Sequence, residues 1–210
     1  MVTFCTRFDL RAPAATGRER SELYRRCIEQ AAYLQARGRQ PIMVSEHHAS
    51  DDGYLPSPIP FAAAIVTTDV PITISALLVN FYDPIRLAED LAVLDHLSGG
   101  RVSCTVGLGY RREEYELFGR PWETRGRDLE ARLEVLLQPW TGEPFEHEGR
   151  TVRVTPRPFS RPHPFLMYGG GSVAAARRAG RLGLGFPPQH GDPALKEAYD
   201  AACRAAGRDP

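Results

Sequence analysis

The sequence predicts an α/β protein built on a parallel sheet, and three observations carry that prediction. Short apolar runs and amphipathic segments alternate six times in succession. The runs are apolar throughout, where a sheet with one wetted face would alternate polar and apolar residues. The unusual polar residues and glycine clusters fall where those runs end, which is where the βα loops of a parallel fold carry chemistry.

The elements follow in order. "VTFCT" (2–6) reads as the first strand. Residues 18–38 carry Leu23, Cys27, Ala31 and Leu34 at helical spacing, and Gly38 stops the helix. "PIMVSE" (41–46) is a second strand, residues 58–68 a short helix, and "PITISALLV" (71–79) a third strand. Asp83 is placed as an N-cap with Pro84 as first helical residue, and Gly99 closes that helix. "RVSCTVGLG" (101–109) is strand four, and residues 123–140 form an amphipathic helix. The charges of that helix read as a solvated face with i,i+4 pairs. Residues 142–154 suggest a hairpin about an "EGR" turn. "PFLMYGG" (164–170) is strand five, 172–182 a helix, 183–187 a short sixth strand and 193–208 a last helix. A TIM barrel needs eight such units and about 250 residues. Six units leave three readings: an open, shortened barrel, a fragment, or a doubly wound sheet.

Composition narrows the function classes. With 42% hydrophobic and 25% charged residues, the 210-residue chain is that of a water-soluble globular protein, read as one domain over 1–210. Lys+Arg and Asp+Glu both number 26, and no basic stripe is interleaved with aromatics, which speaks against a nucleic-acid partner. No apolar run approaches the roughly 20 residues of a membrane-spanning helix. The N-terminus has no secretory pattern, and Cys5, Cys27, Cys104 and Cys203 form no CxxC pair. The expectation is a cytoplasmic protein with reduced thiols, Cys5 and Cys104 being small buried hydrophobes in strands.

Four constellations remain. Strand two ends in Glu46, His47 and His48. Side chains alternate along a strand, so His47 points one way and Glu46 and His48 the other, which opposes joint chelation of a metal. One imidazole facing the mouth can move a proton near neutral pH, with the acid orienting an imidazole from behind. Strand-end residues bonded to loop backbone are the plain alternative. In "YGGGS", Gly169, Gly170 and Gly171 close strand five and Ser172 opens a helix, a suitable cradle for phosphate or simply a tight turn with a serine cap. The spacing does not fit GxGxxG. Gly107 and Gly109 let a flat ligand approach the backbone, and small Ser75 and Ala76 leave room in strand three. Arg7, Tyr54, Asn80 and Tyr110, all near strand ends, are the candidate walls of a substrate pocket.

Taken together and in order, these segments resemble the bacterial luciferase-like family of flavin-dependent monooxygenases and oxidoreductases. The resemblance rests on "SEHH" with "DGYLPSPIPFAAA", on "DPIRLAEDLAVLDHLSGGRVSCTVGLGYRREEYELFG", and on "YGGGS" with "AARRAGRLGLGF". It implies a TIM-like barrel with reduced FMN at the C-terminal ends of the strands, and His47 as the catalytic histidine with Glu46 or His48 behind it. It also implies a non-proline cis peptide at Ser75-Ala76 beneath the ring, backbone at Gly107 and Gly109 beside it, and phosphate at Gly170, Gly171, Ser172 and Val173. The activity implied is oxidation of a small organic substrate by reduced FMN and molecular oxygen, with a separate flavin reductase as partner. Some branches use 8-hydroxy-5-deazaflavin and transfer hydride instead. The family's seventh and eighth strands have no counterpart here, which raises the expectation of a homodimer, of exposed edges at 2–6 and 183–187, and of a non-catalytic flavin-binding module as rival. A phosphosugar barrel enzyme is the rival from outside the family, opposed by the lack of a strand-end lysine or metal-ligand set.

Overall fold

In the computed structural model, which describes residues 4–38 and 40–210, five parallel strands lie side by side in one sheet. They are β1 (Thr6–Phe8), β2 (Ile42–Val44), β3 (Ile72–Leu77), β4 (Val102–Val106) and, after an antiparallel hairpin of β5 (Phe145–His147) and β6 (Arg150–Val152), β7 (Phe165–Tyr168). The sheet order is β1-β2-β3-β4-β7, strictly sequential. A doubly wound sheet reverses its strand order at a switch point, so that reading is set aside. Parallel neighbours in sequential order, each pair joined through at least one helix, follow the pattern of the wall of a TIM barrel.

Among the described residues there are seven helices, five before β7 and two after it: α1 (Gly17–Ala36), α2 (Pro58–Ile65), α3 (Pro84–Ser98), α4 (Arg112–Leu117), α5 (Arg125–Thr141), α6 (Val173–Leu182) and α7 (Pro193–Ala205). Local chemistry sets their ends. Asp83 accepts hydrogen bonds from the N–H groups of Ile85 and Arg86, Pro84 follows, and Gly99 terminates α3 in the left-handed region. Thr16 and Glu19 form a reciprocal capping box on α1.

Strand residues of one parity face the helices and are buried: Ile42, Val44, Ile72, Ile74, Cys104, Leu166 and Tyr168. Each large apolar side chain so buried contributes about 1.5–3 kcal/mol. Residues of the other parity pair across the sheet as Arg7–Met43–Thr73–Ser103–Phe165 and remain at least partly exposed, Phe165 to 60%.

The structure corrects several expectations. The first strand starts at Thr6, leaving Cys5 exposed rather than buried, and residues 2 and 3 of the expected strand lie outside the described residues. Residues 183–187 do not form a regular strand. They run parallel to β7 with isolated bridges at Met167–Gly185 and Gly170–Pro188, because Pro187 and Pro188 have no backbone N–H to donate to a ladder. Helix α4 and a 3-10 turn at Val79–Phe81 were not foreseen. The α5 face is not wholly solvated, since Glu130 reaches Arg178 (3.3 Å) and Arg181 on α6.

Gly180 sets how closely α6 and α7 approach. A Cβ there would lie 2.7 Å from the Tyr199 carbonyl oxygen and 2.9 Å from both the Ala202 Cβ and the Cys203 nitrogen. Alanine is the better helix former by about 1 kcal/mol, yet the clash is with backbone. Gly180→Ala should therefore lower stability by about 1–3 kcal/mol, read as a lower urea midpoint. A raised midpoint would contradict this packing.

Candidate active site

The C-terminal ends of β2, β3, β4 and β7 open on the same side, and each brings one part of a site. Beyond β2 the chain continues through Ser45 and Glu46, both buried, to His47 and His48. The Glu46 carboxylate is fully enclosed. One oxygen accepts the Leu78 N–H (2.7 Å), and the other meets His48 Nε2 (2.8 Å) and accepts the Tyr82 hydroxyl (2.9 Å). Burial, followed by the Glu46 charge, pushes the Tyr82 hydroxyl far above the usual phenol range and keeps it a neutral donor. Glu46 thus ties the end of β2 to the start of the 3-10 turn. The His48 ring is edge-on to Phe81 and Phe118, with centroids at 5.5 and 4.7 Å.

His47 turns the other way and meets a second buried carboxylate. Glu114 Oε1 lies 3.1 Å from His47 Nδ1 and accepts the His48 backbone N–H at 2.9 Å. Burial raises the Glu114 carboxyl, but the bonds from His47 and His48 and the charges of His47 and Arg111 outweigh it and hold the group below its ordinary 4.5. An ionised carboxylate only accepts, so Nδ1 carries the proton and Nε2 is the ring nitrogen left without a partner among the described residues. The sequence reading placed an acid behind an imidazole. Glu46 serves His48 in that way, and the acid behind His47 is Glu114, which the reading missed. Its signal was present: in "REEYEL" Glu114 and Tyr115 share the buried face of a short helix while their neighbours are exposed.

His47, Arg7, Tyr54 and Tyr110 line one cleft of about 620 Å³. Tyr54 is buried and meets the His47 ring edge-on at 4.5 Å, and Tyr110, 76% exposed, meets it at 5.4 Å. Asn80 is not with them. It sits buried in the 3-10 turn, donating to the Tyr115 hydroxyl and the Arg125 carbonyl, both at 2.9 Å.

At β3 the Ser75–Ala76 peptide is cis, and the register to β4 shifts between Ser75 and Leu77. Gly107 follows β4 so closely that a Cβ would lie 2.8 Å from the Ala76 Cβ, and Gly109 adopts φ +75°. The ends of β3 and β4 therefore present a surface of backbone and small groups. At β7, Gly170 leaves only enough room for the Ala175 Cβ, and Ser172 Oγ accepts the Ala175 N–H to cap α6. The first turn of α6 has no acidic residue, and the N–H groups of Val173 and Ala174 lie in that first turn, where a helix makes no internal bonds. This donor set suits a phosphate. A flat ring on Ala76 and Gly107 with its phosphate at Gly170–Val173 fits the residues present.

The pairing of Glu114 with His47 has a pH consequence. A carboxyl held low in the fold contributes stability that is fully present above about pH 4.5 and is lost as the pH falls through the lowered value. Glu114→Gln should cost about 1–3 kcal/mol at neutral pH and should show a flatter loss of stability in acid than the unmodified chain. Parallel acid limbs in urea titrations would mean that another group is responsible.

The model of the luciferase-like monooxygenase family matches residues 2–210. An FMNH(2)-dependent dimethylsulfone monooxygenase of Pseudomonas putida is 32% identical over 128 residues, which are 57% of this chain and 35% of that protein. A monooxygenase from Streptomyces bottropensis superposes with a TM-score of 0.83 at 25% identity, over 100% of this chain and 68% of its own. An F420-dependent secondary alcohol dehydrogenase superposes with a TM-score of 0.77 over 99% of this chain and 66% of its own; at 18% identity the likeness is one of fold. The chain thus spans about a third of the curated relative and two thirds of the solved structures. A family match over almost its whole length, on a sequential parallel sheet with its polar groups at the strand ends, leaves one conclusion: the chain belongs to the luciferase-like monooxygenase family.

Proposed function

We propose that this chain is the oxygenating component of a two-component flavin monooxygenase, using reduced FMN from a separate reductase and molecular oxygen on a small organic substrate. One observation carries the reading most directly. A phosphate-ready helix start at Gly170–Val173, a floor of small residues at Ala76 and Gly107, and an imidazole with one nitrogen committed to a carboxylate all open on one face. The FMNH(2) dependence of the dimethylsulfone monooxygenase relative supports the choice of cofactor.

The parts divide the work as follows. The Val173 and Ala174 N–H groups, with the exposed Ser172 hydroxyl, bind the phosphate. Gly107 and Ala76 let a planar ring lie against backbone. Reduced flavin, once bound, supplies the electrons that activate oxygen. His47 Nε2 takes up or gives the one proton the reaction must move, while Glu114 on Nδ1 fixes the ring orientation and stabilises the imidazolium. Tyr54 and Tyr110 flank the ring and limit water beside it.

Titration with FMN and with F420, followed by visible absorbance, separates the two cofactor types; binding of FMN in preference to F420 is expected. His47→Ala should lower oxygen consumption with reduced FMN and a panel of aldehydes by about tenfold or more, with FMN affinity nearly unchanged. Unaltered consumption would make the protein a flavin carrier. Ser172→Glu should weaken FMN and spare riboflavin, through repulsion of the phosphate. Equal weakening of both would place the phosphate elsewhere.

A further inference from the structure

We infer that the substrate of this site is an organic anion, a carboxylate or sulfonate, docked on Arg7. The inference rests on the reading of the His47 cleft as the substrate side. Arg7, Arg11, Arg111 and Arg112 all line that cleft, but they are not equivalent. Arg11 is neutralised by Asp9 at 3.1 Å and Asp52 at 3.9 Å. Arg112 is paired with Glu116 and Glu123, at 3.3 and 3.4 Å. Arg111 donates to the carbonyls of His48 and Ala49 and lies 3.8 Å from Glu114.

Arg7 has no carboxylate within ion-pair distance among the described residues. Its guanidinium is held by two neutral oxygens, through Nη2 to the Tyr54 hydroxyl at 2.7 Å and to Ser45 Oγ at 3.2 Å. Both holders are buried, at 8% and 3% exposure, and Ser45 in turn donates to the Ser75 carbonyl at 2.5 Å. The charge is therefore positioned by hydroxyls that leave it unneutralised, with Nε–H and both Nη1 hydrogens unused. Such an arrangement suits a carboxylate or sulfonate, which takes parallel hydrogen bonds from the guanidinium fork. Tyr54 joins the two halves of the site, since it holds Arg7 with its hydroxyl and packs on His47 with its ring. An anion on Arg7 thus brings the attached carbon chain alongside the His47 ring.

The cofactor phosphate does not account for Arg7. Its turn follows β7, whereas Arg7 is on β1 at the opposite edge of the sheet, with β2, β3 and β4 between them. Arg7 is left for a second ligand.

The test uses the full chain and four probes of matched length: hexanoate, hexane-1-sulfonate, hexanal and hexan-1-ol. Their binding is measured by calorimetry at low and high salt, with and without FMN. The two anions should bind at least about tenfold more tightly than the two neutral probes, and the difference should shrink as salt rises. Arg7→Met should abolish the preference, and Arg7→Lys, which keeps the charge without the fork, should retain part of it. FMN affinity should be unchanged in both. Equal binding of anions and alcohol, or an undiminished preference in a folded Arg7→Met, would overturn the inference; should that variant not fold, the salt dependence and Arg7→Lys decide. Failure of FMN to bind would instead remove the cofactor assignment, and the anion arm is still read on the same sample.

Discussion

The site depends on two buried carboxylates placed on opposite sides of one strand end. Glu46 and Glu114 are both fully enclosed, a costly state for an ionised group unless its lone pairs are occupied. Glu46 meets this by accepting from Leu78, Tyr82 and His48, which ties β2 to the segment beyond β3. Glu114 meets it at Oε1 alone, which accepts the backbone N–H of His48 and faces His47 Nδ1 and so ties β2 to the helix beyond β4, while Oε2 is buried with no hydrogen-bond partner among the described residues. Three strand ends are thereby locked together by hydrogen bonds that commit one nitrogen of each imidazole. His48 is flanked by Phe81 and Phe118, whereas His47 lines the cleft with Arg7, Tyr54 and Tyr110.

Around that lock the sheet separates charge. The N-terminal turn of α6 at the end of β7 offers backbone N–H groups, and Arg7 on β1 offers a guanidinium at the far edge. The small residues of β3 and β4 lie between them. A ligand anchored at one pole and a second anchored at the other would meet over the middle strands, near His47. The sequential strand order is what produces this layout, because it keeps every strand's C-terminal end on one side and in chain order.

Much of this was legible in the sequence, for identifiable reasons. Strand and helix periodicities gave the five strands of the sheet, while the expected sixth strand at 183–187 is reduced to isolated bridges. Asp83, Pro84 and Gly99 marked α3 because caps are local chemistry that tertiary context seldom overrides. Alternation along a strand separated His47 from Glu46 and His48 correctly, since that rule is purely geometric. What could not be read were contacts between distant segments. Glu114 is 67 residues from His47, and nothing in either neighbourhood names the other. Asn80 lay near a strand end, but the 3-10 turn rotated its side chain into a recess with Tyr115. Cys5 was misjudged because a strand boundary moved past it, and a shift of one residue there decides burial.

The central claim is that Glu114 fixes His47 with its proton on Nδ1 and leaves Nε2 open to the cleft. The ring nitrogen shifts of His47, measured by long-range ¹H–¹⁵N correlation at a pH where the ring is neutral, report the tautomer directly. A protonated Nδ1 and bare Nε2, reversed or mixed in Glu114→Ala, is the predicted result. A His47 already protonated on Nε2 in the unmodified chain would contradict it.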